Sequence, residues 1–226
     1  VADGWWVIKK YHCMGCHQIV PGQKPLIQNL KMYKGDDVKF APPSLIGLGA
    51  RVHAEWLRNF LKDPSLAAHG KKPEAKNGVR VYLDVRMPTF AFSDEEITVL
   101  VKFFQGLSKQ PMPYAEPKLK LLTGEELEIA RQAFNYADCL TCHARGDLTK
   151  MTPEQLKAIV APSFVVVKEK LKTHWTRRWL ENPGSVIQGT QMPALFTEEV
   201  TDDGGKKTKR WVLISSEATP LPEKVK

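Results

Sequence analysis

The sequence predicts a mainly α protein made of two tandem small helical domains. Three observations lead there. Apolar stripes recur at helical period behind capping residues, alternating strand patterns are scarce, and one ordered set of landmarks occurs twice. A length of 226 residues suits one large domain or two small ones. The 42% hydrophobic content is enough for ordinary globular cores.

The repeat sets the domain organisation. The first copy runs C-M-G-C-H (13–17), A-P-P-S-L (41–45), E-W-L-R-N-F-L-K-D-P (55–64) and R-M-P-T-F (86–90). The second runs C-L-T-C-H (139–143), A-P-S-F (161–164), H-W-T-R-R-W-L-E-N-P (174–183) and Q-M-P-A-L-F (191–196). Pro43 and Pro162, Trp56 and Trp175, Phe60 and Trp179, and Pro64 and Pro183 all share an offset of 119. Two homologous domains, 1–110 and 120–226, are expected on either side of a Pro-rich linker at 111–119.

The elements follow in order. Residues 4–12 approach the first motif as a helix. Residues 53–62 and 174–181 read as short helices, each stopped by its D-P or N-P pair. Ser93 with Glu96 forms a capping box ahead of a stripe made by Ile97, Leu100, Val101 and Phe104. Thr123 with Glu126 forms another before a helix that ends near Cys139, and Thr152-Pro153 reads as a cap with proline at the first helical position. The best alternating stretch is V-R-V-Y-L-D-V at 79–85, in a loop that the second copy lacks.

Charge and composition exclude some functions. The formal net charge is +8, of which +6 falls in residues 1–110 and +2 in the remainder. No basic block with interleaved aromatics appears, so nucleic acid is not an expected partner. The basic balance suits an acidic protein partner, since complementary charge speeds encounter. No run of 18 apolar residues is present, so no membrane span is expected. The opening V-A-D-G-W-W has no initiator methionine and no charged-then-apolar leader, so a mature form is expected and location must be argued from chemistry.

The chemistry rests on C-x-x-C-H, present twice. A structural zinc needs four ligands, and each copy offers two thiolates and one histidine, 126 residues from the other copy. A thioredoxin-like dithiol needs a strand before the motif, and here a helix precedes it. The third reading, covalent haem c, has C-x-x-C-H as its direct signature. Cys13 and Cys16, and Cys139 and Cys142, would add across the two vinyl groups of one porphyrin each, and His17 and His143 would bind the irons.

A sixth iron ligand is expected from Met87 and Met192, the methionines that precede a proline in register in both copies. His/Met ligation raises a haem potential. Phe90 and Phe196 stand where they could wall the pockets. Among the competing histidines, His12 adjoins Cys13, and His53 and His174 are not equivalent, because Glu55 aligns with His174. His69, in the long loop before Met87, is the best alternative for the first haem. The carbonyls of Pro43 and Pro162 could accept the other ring N–H of each histidine.

These residues resemble tandem class I cytochrome c domains. The resemblance rests on a helix into CxxCH, P-x-L-x-G at Pro43-x-Leu45-x-Gly47, W-L-x-x-F-L-x-x-P, M-P-x-F and a final helix opened by S-D-E-E. It covers nearly all of the first domain and residues 125–196 of the second. It implies two small cytochrome c-type helical domains, each wrapped around one covalent haem c (two in the chain), with His/Met axial ligands. It also implies one-electron transfer outside the cytoplasm, in the periplasm for a bacterium. Redox protein partners, or other subunits of a respiratory complex that would hold the chain at a membrane, follow from the same resemblance.

The second copy departs from the pattern. No amphipathic final helix follows Met192; residues 198–210 read as a polar turn and 211–215 as a short apolar strand or segment. Its proline loop lacks Gly47 and Gly49 and has V-V-V at 165–167. The first copy has 22 residues between Pro64 and Met87 against 8 between Pro183 and Met192, an insertion expected to cover a haem edge or dock a partner. An electron-transfer protein with no catalytic residue is the leading expectation. A dihaem peroxidase-like enzyme, a haem-based redox or gas sensor and a haem-free module are the rivals.

Overall fold

In the computed structural model, the residues described are 1–35, 41–64, 87–109, 121–146, 150–187, 190–195, 197–201, 205 and 207–211. His69, the stretch at 79–85, residues 111–119 of the linker, Phe196 and residues 212–215 lie outside them. Helices dominate: α1 (Ala2–Lys10), α2 (Cys13–Cys16), α3 (Leu48–Arg51), α4 (Ala54–Lys62), α5 (Asp94–Leu107), α6 (Gly124–Tyr136), α7 (Pro153–Ala158), α8 (Val167–Lys170), α9 (Thr173–Glu181) and α10 (Pro183–Val186). The fold is mainly α. Among the described residues, no helix is long and apolar enough to cross a membrane.

Contacts divide the chain into two units. One comprises Val1–Glu116 with Ala144–Lys172, the other Pro117–His143 with Thr173–Lys226. This partition follows packing, whereas the sequence repeat follows motif order, so the stretch 144–172 belongs to the second copy by sequence and to the first unit by contact.

The first unit is built on α5. Ser93 Oγ accepts from the Glu96 backbone N–H at 3.2 Å, and Glu96 accepts from the Ser93 N–H at 3.0 Å, which starts the helix with a capping box. Its stripe of Ile97, Leu100, Val101 and Phe104 is buried with Val7 and Ile8 of α1 and Trp56, Leu57 and Leu61 of α4. Removing each such side chain from water contributes about 1.5–3 kcal/mol. Close approach is bought with glycine: a Cβ on Gly4 would overlap the Phe103 ring, and one on Gly49 would overlap the backbone of Phe104 and Gln105. Beyond α4, an antiparallel bridge joins Val52 to Leu171. His53 N–H donates to the Lys170 carbonyl at 3.0 Å, and Lys172 N–H donates to the Arg51 carbonyl at 2.9 Å. Pro153 opens α7 behind Thr152, whose hydroxyl accepts from the Gln155 N–H at 3.3 Å.

The second unit holds α6, α9, α10 and a hairpin. Thr123 and Glu126 cap α6 reciprocally. In α9, Trp175 and Trp179 stack at 5.3 Å, 12° from parallel. The polar stretch after Met192 corrects the expectation of a turn: β1 (Thr197–Thr201) pairs antiparallel with β2 (Lys207–Trp211). The register sets Glu198 opposite Arg210 and Glu199 opposite Lys209. Gly205, between the strands, has a φ of 79°.

Candidate functional site

Each CxxCH segment is reached from a helix that turns sharply just before the first cysteine. The residue at that turn is left-handed in both copies: His12 at a φ of 51° and Asp138 at 49°. Such a conformation is unfavourable outside Gly, Asn and Asp, and it reverses the chain so that one tight turn can follow. In the first copy that turn is α2; in the second it is a 3-10 turn at Cys139–Thr141. The histidine backbone then closes the turn in both. His17 N–H donates to the Cys13 carbonyl at 2.9 Å and His143 N–H to the Cys139 carbonyl at 3.1 Å. The paired thiols therefore stand on one turn with the histidine directly after it.

The thiols differ in setting. Cys13 and Cys139 are half-buried, and Cys16 and Cys142 are exposed. Burial pushes the Cys13 and Cys139 thiols up from their ordinary range, so both are kept as neutral thiols at neutral pH. His12 is exposed and serves the turn through its backbone.

The proline loops are tied to the same place in both copies. Leu45 N–H donates to the Gln18 carbonyl at 2.8 Å, and Phe164 N–H donates to the Ala144 carbonyl at 2.8 Å. Ser44 and Ser163 each place a hydroxyl on that same carbonyl, at 3.5 and 3.4 Å, while accepting from the N–H two residues on. The residue after each CxxCH thus anchors a loop through an identical pattern. These serines were not singled out from the sequence, although S follows P in both A-P-P-S and A-P-S and recurs at the offset of 119.

In the first copy the loop reaches the histidine. Nδ1 of His17 lies 2.8 Å from the Pro43 carbonyl oxygen. A carbonyl only accepts, so Nδ1 carries the proton and the neutral ring keeps its lone pair on Nε2. Pro162, the counterpart by sequence, is exposed.

Met87 is half-buried and packs at the margin of the α1–α4–α5 core, as do Cys13, Met14, Leu45 and Phe60. Met192 is half-buried too, and its sulfur accepts the indole N–H of Trp179 at 2.8 Å. This contact was not legible beforehand, because it joins residues 13 apart across the end of α9. The described residues contain no group of three or more His, Cys, Asp or Glu that could hold a metal ion as a protein cage.

Compared with models of protein families, with curated proteins and with solved structures, the chain matches none. The resemblance to cytochrome c domains therefore stands on the chain's own motifs.

One buried atom tests whether the residues fit a haem. Trp56 is buried and stacked on Phe60 at 5.0 Å, yet its Nε1 has no hydrogen-bond partner among the described residues. A buried indole N–H without an acceptor is costly. A porphyrin brings carboxylates that can accept such a proton, and Trp56 belongs to the core on whose margin Cys13 and Met87 pack. The donor set of thiols, imidazole and thioether is also one that haem c takes.

Proposed function

We propose that the chain is a dihaem c-type cytochrome that transfers single electrons between redox partners outside the cytoplasm. Cys13 and Cys16 hold one covalent haem, and Cys139 and Cys142 hold the other. His17 and His143 would ligate the irons, with Met87 and Met192 as the second protein ligand of each. The observation that carries this reading is the recurrence of one turn: a left-handed residue, two thiols and a histidine closed back onto the first cysteine, in copies 126 residues apart.

When bound, haem c supplies an iron that cycles between Fe(II) and Fe(III) one electron at a time. The chain's residues do the rest. The Pro43 carbonyl holds the Nδ1 proton of His17, which orients the ring and leaves Nε2 as the ligating nitrogen. Met87, at the edge of the buried core, would supply a thioether to its iron. With a histidine and a methionine assigned to each iron, no catalytic residue is assigned. Attachment through two thioethers suits an extracytoplasmic compartment such as the periplasm. Partners are redox proteins, with acidic ones favoured by the +8 charge, or other subunits of a respiratory complex.

A pyridine haemochrome assay on the full chain, produced with a haem c attachment system, tests the reading. Two covalently bound haems per chain are expected, and none would sink it. Peroxide turnover with high-spin ferric iron would instead favour a dihaem peroxidase or sensor.

A further inference from the structure

The two copies differ at the second ring of the tryptophan helix. In the second, Trp179 turns its indole N–H onto the sulfur of Met192 at 2.8 Å. In the first, the same helical position is Phe60, which has no donor. The rest of the arrangement is conserved between copies: Phe60 stacks on Trp56 at 5.0 Å and 13°, and Trp179 stacks on Trp175 at 5.3 Å and 12°. The helix and the stack therefore hold the ring in both, and among the described residues the indole–sulfur bond is made in the second.

An indole has a single donor and no acceptor, so Trp179 spends its one polar group on this sulfur. A thioether sulfur is a weak acceptor in competition with water, and a donor reaches it only when both groups are held. Both are held here. The ring is fixed by stacking, and the Met192 backbone is fixed by its own N–H, which donates to the Thr190 hydroxyl at 3.3 Å.

We propose that Trp179 is a positioning residue for Met192, setting both the direction of its sulfur and its electron donation. This rests on the reading of Met192 as an iron ligand. A thioether sulfur has two lone pairs, so one can face the iron while the other accepts the indole proton. The hydrogen bond draws electron density from the sulfur, which makes it a poorer donor to Fe(III). The reduced state of the second haem is thereby favoured, while the first lacks this bias because Phe60 cannot supply it.

Spectropotentiometry of the haem-loaded full chain tests this, with Trp179→Phe and with benzothienylalanine at 179, which keeps the ring shape and loses the N–H. One midpoint is expected to fall and the other to stay. The fall corresponds to a loss of about three- to tenfold in the reduced-to-oxidised ratio at fixed potential, about 30–60 mV for one electron. The near-infrared sulfur-to-iron band of that haem should shift and persist. Unchanged midpoints in a protein whose second haem has that band would overturn the inference alone. A band that Met192→Ala leaves untouched would instead remove the axial reading, and the inference with it. If neither variant folds, the wild-type protein still decides. The Trp179 indole proton should be strongly shifted by the oxidised iron and not by the reduced one, and an unshifted proton overturns the proposal.

Discussion

Glu96 fastens two helices with one carboxylate. It accepts from Lys10 Nζ at 2.6 Å, from the Tyr11 hydroxyl at 2.8 Å and from the Ser93 N–H at 3.0 Å. The Lys10 ammonium first, then the Ser93 N–H and the Tyr11 hydroxyl, lower its carboxyl to about 2. A carboxylate whose folded pKa lies below the unfolded one stabilises fully above the unfolded range, near 4.3, and loses that contribution as pH falls through about 2. Glu96→Gln should therefore lower the urea midpoint at pH 7 and converge with the wild type near pH 2. On the proposed haem reading, Met87→Ala and Met192→Ala should each remove one weak near-infrared sulfur-to-iron band and lower one potential. If neither spectrum changes, the axial assignment is wrong. The CxxCH and M-P pairs were picked out because they recur in order in both halves of the sequence. Ser44, Ser163 and the Trp179 donor were not, because a hydroxyl or indole declares its partner only once the loops are folded.

Helices are the elements whose signals were plain. The α5 stripe and its Ser93–Glu96 box lie where periodicity put them, and the same is true of the Thr123–Glu126 box. The hairpin was hidden because T-E-E-V-T and K-T-K-R-W have too few apolar residues to alternate, and its pairing is set by the partner strand. Glycine usage tells which elements need each other. Gly49 lets α3 lie against the backbone of α5, and that backbone cannot yield as a flexible side chain would. The counterpart of Gly49 at the offset of 119 is Lys168, which is exposed. Among the described residues, the second copy follows Met192 with the β1–β2 hairpin, where the first follows Met87 with α5. Gly49→Ala should cost about 1–3 kcal/mol by overpacking, measured as a fall in unfolding free energy in urea. Ser93→Ala should cost about 1 kcal/mol through the lost cap.

For the whole molecule, the motif order repeated in the sequence means, on the proposed reading, that one copy can be disabled by itself. Cys13→Ala with Cys16→Ala should leave a protein carrying one covalent haem per chain, counted by mass and by pyridine haemochrome. Loss of both haems would mean that attachment at the second copy depends on the first. Motif order made the sequence repeat readable. The compact units were not, because packing of 144–172 depends on contacts distant in sequence. The Val52–Leu171 bridge holds one such contact. Val52 and Leu171 stand at the repeat offset of 119, as do Arg51 with Lys170 and His53 with Lys172. The two hydrogen bonds that flank the bridge therefore join the same counterpart positions in opposite directions, His53 to Lys170 and Lys172 to Arg51. Each rests on one backbone N–H, so His53→Pro or Lys172→Pro would each remove one of the two.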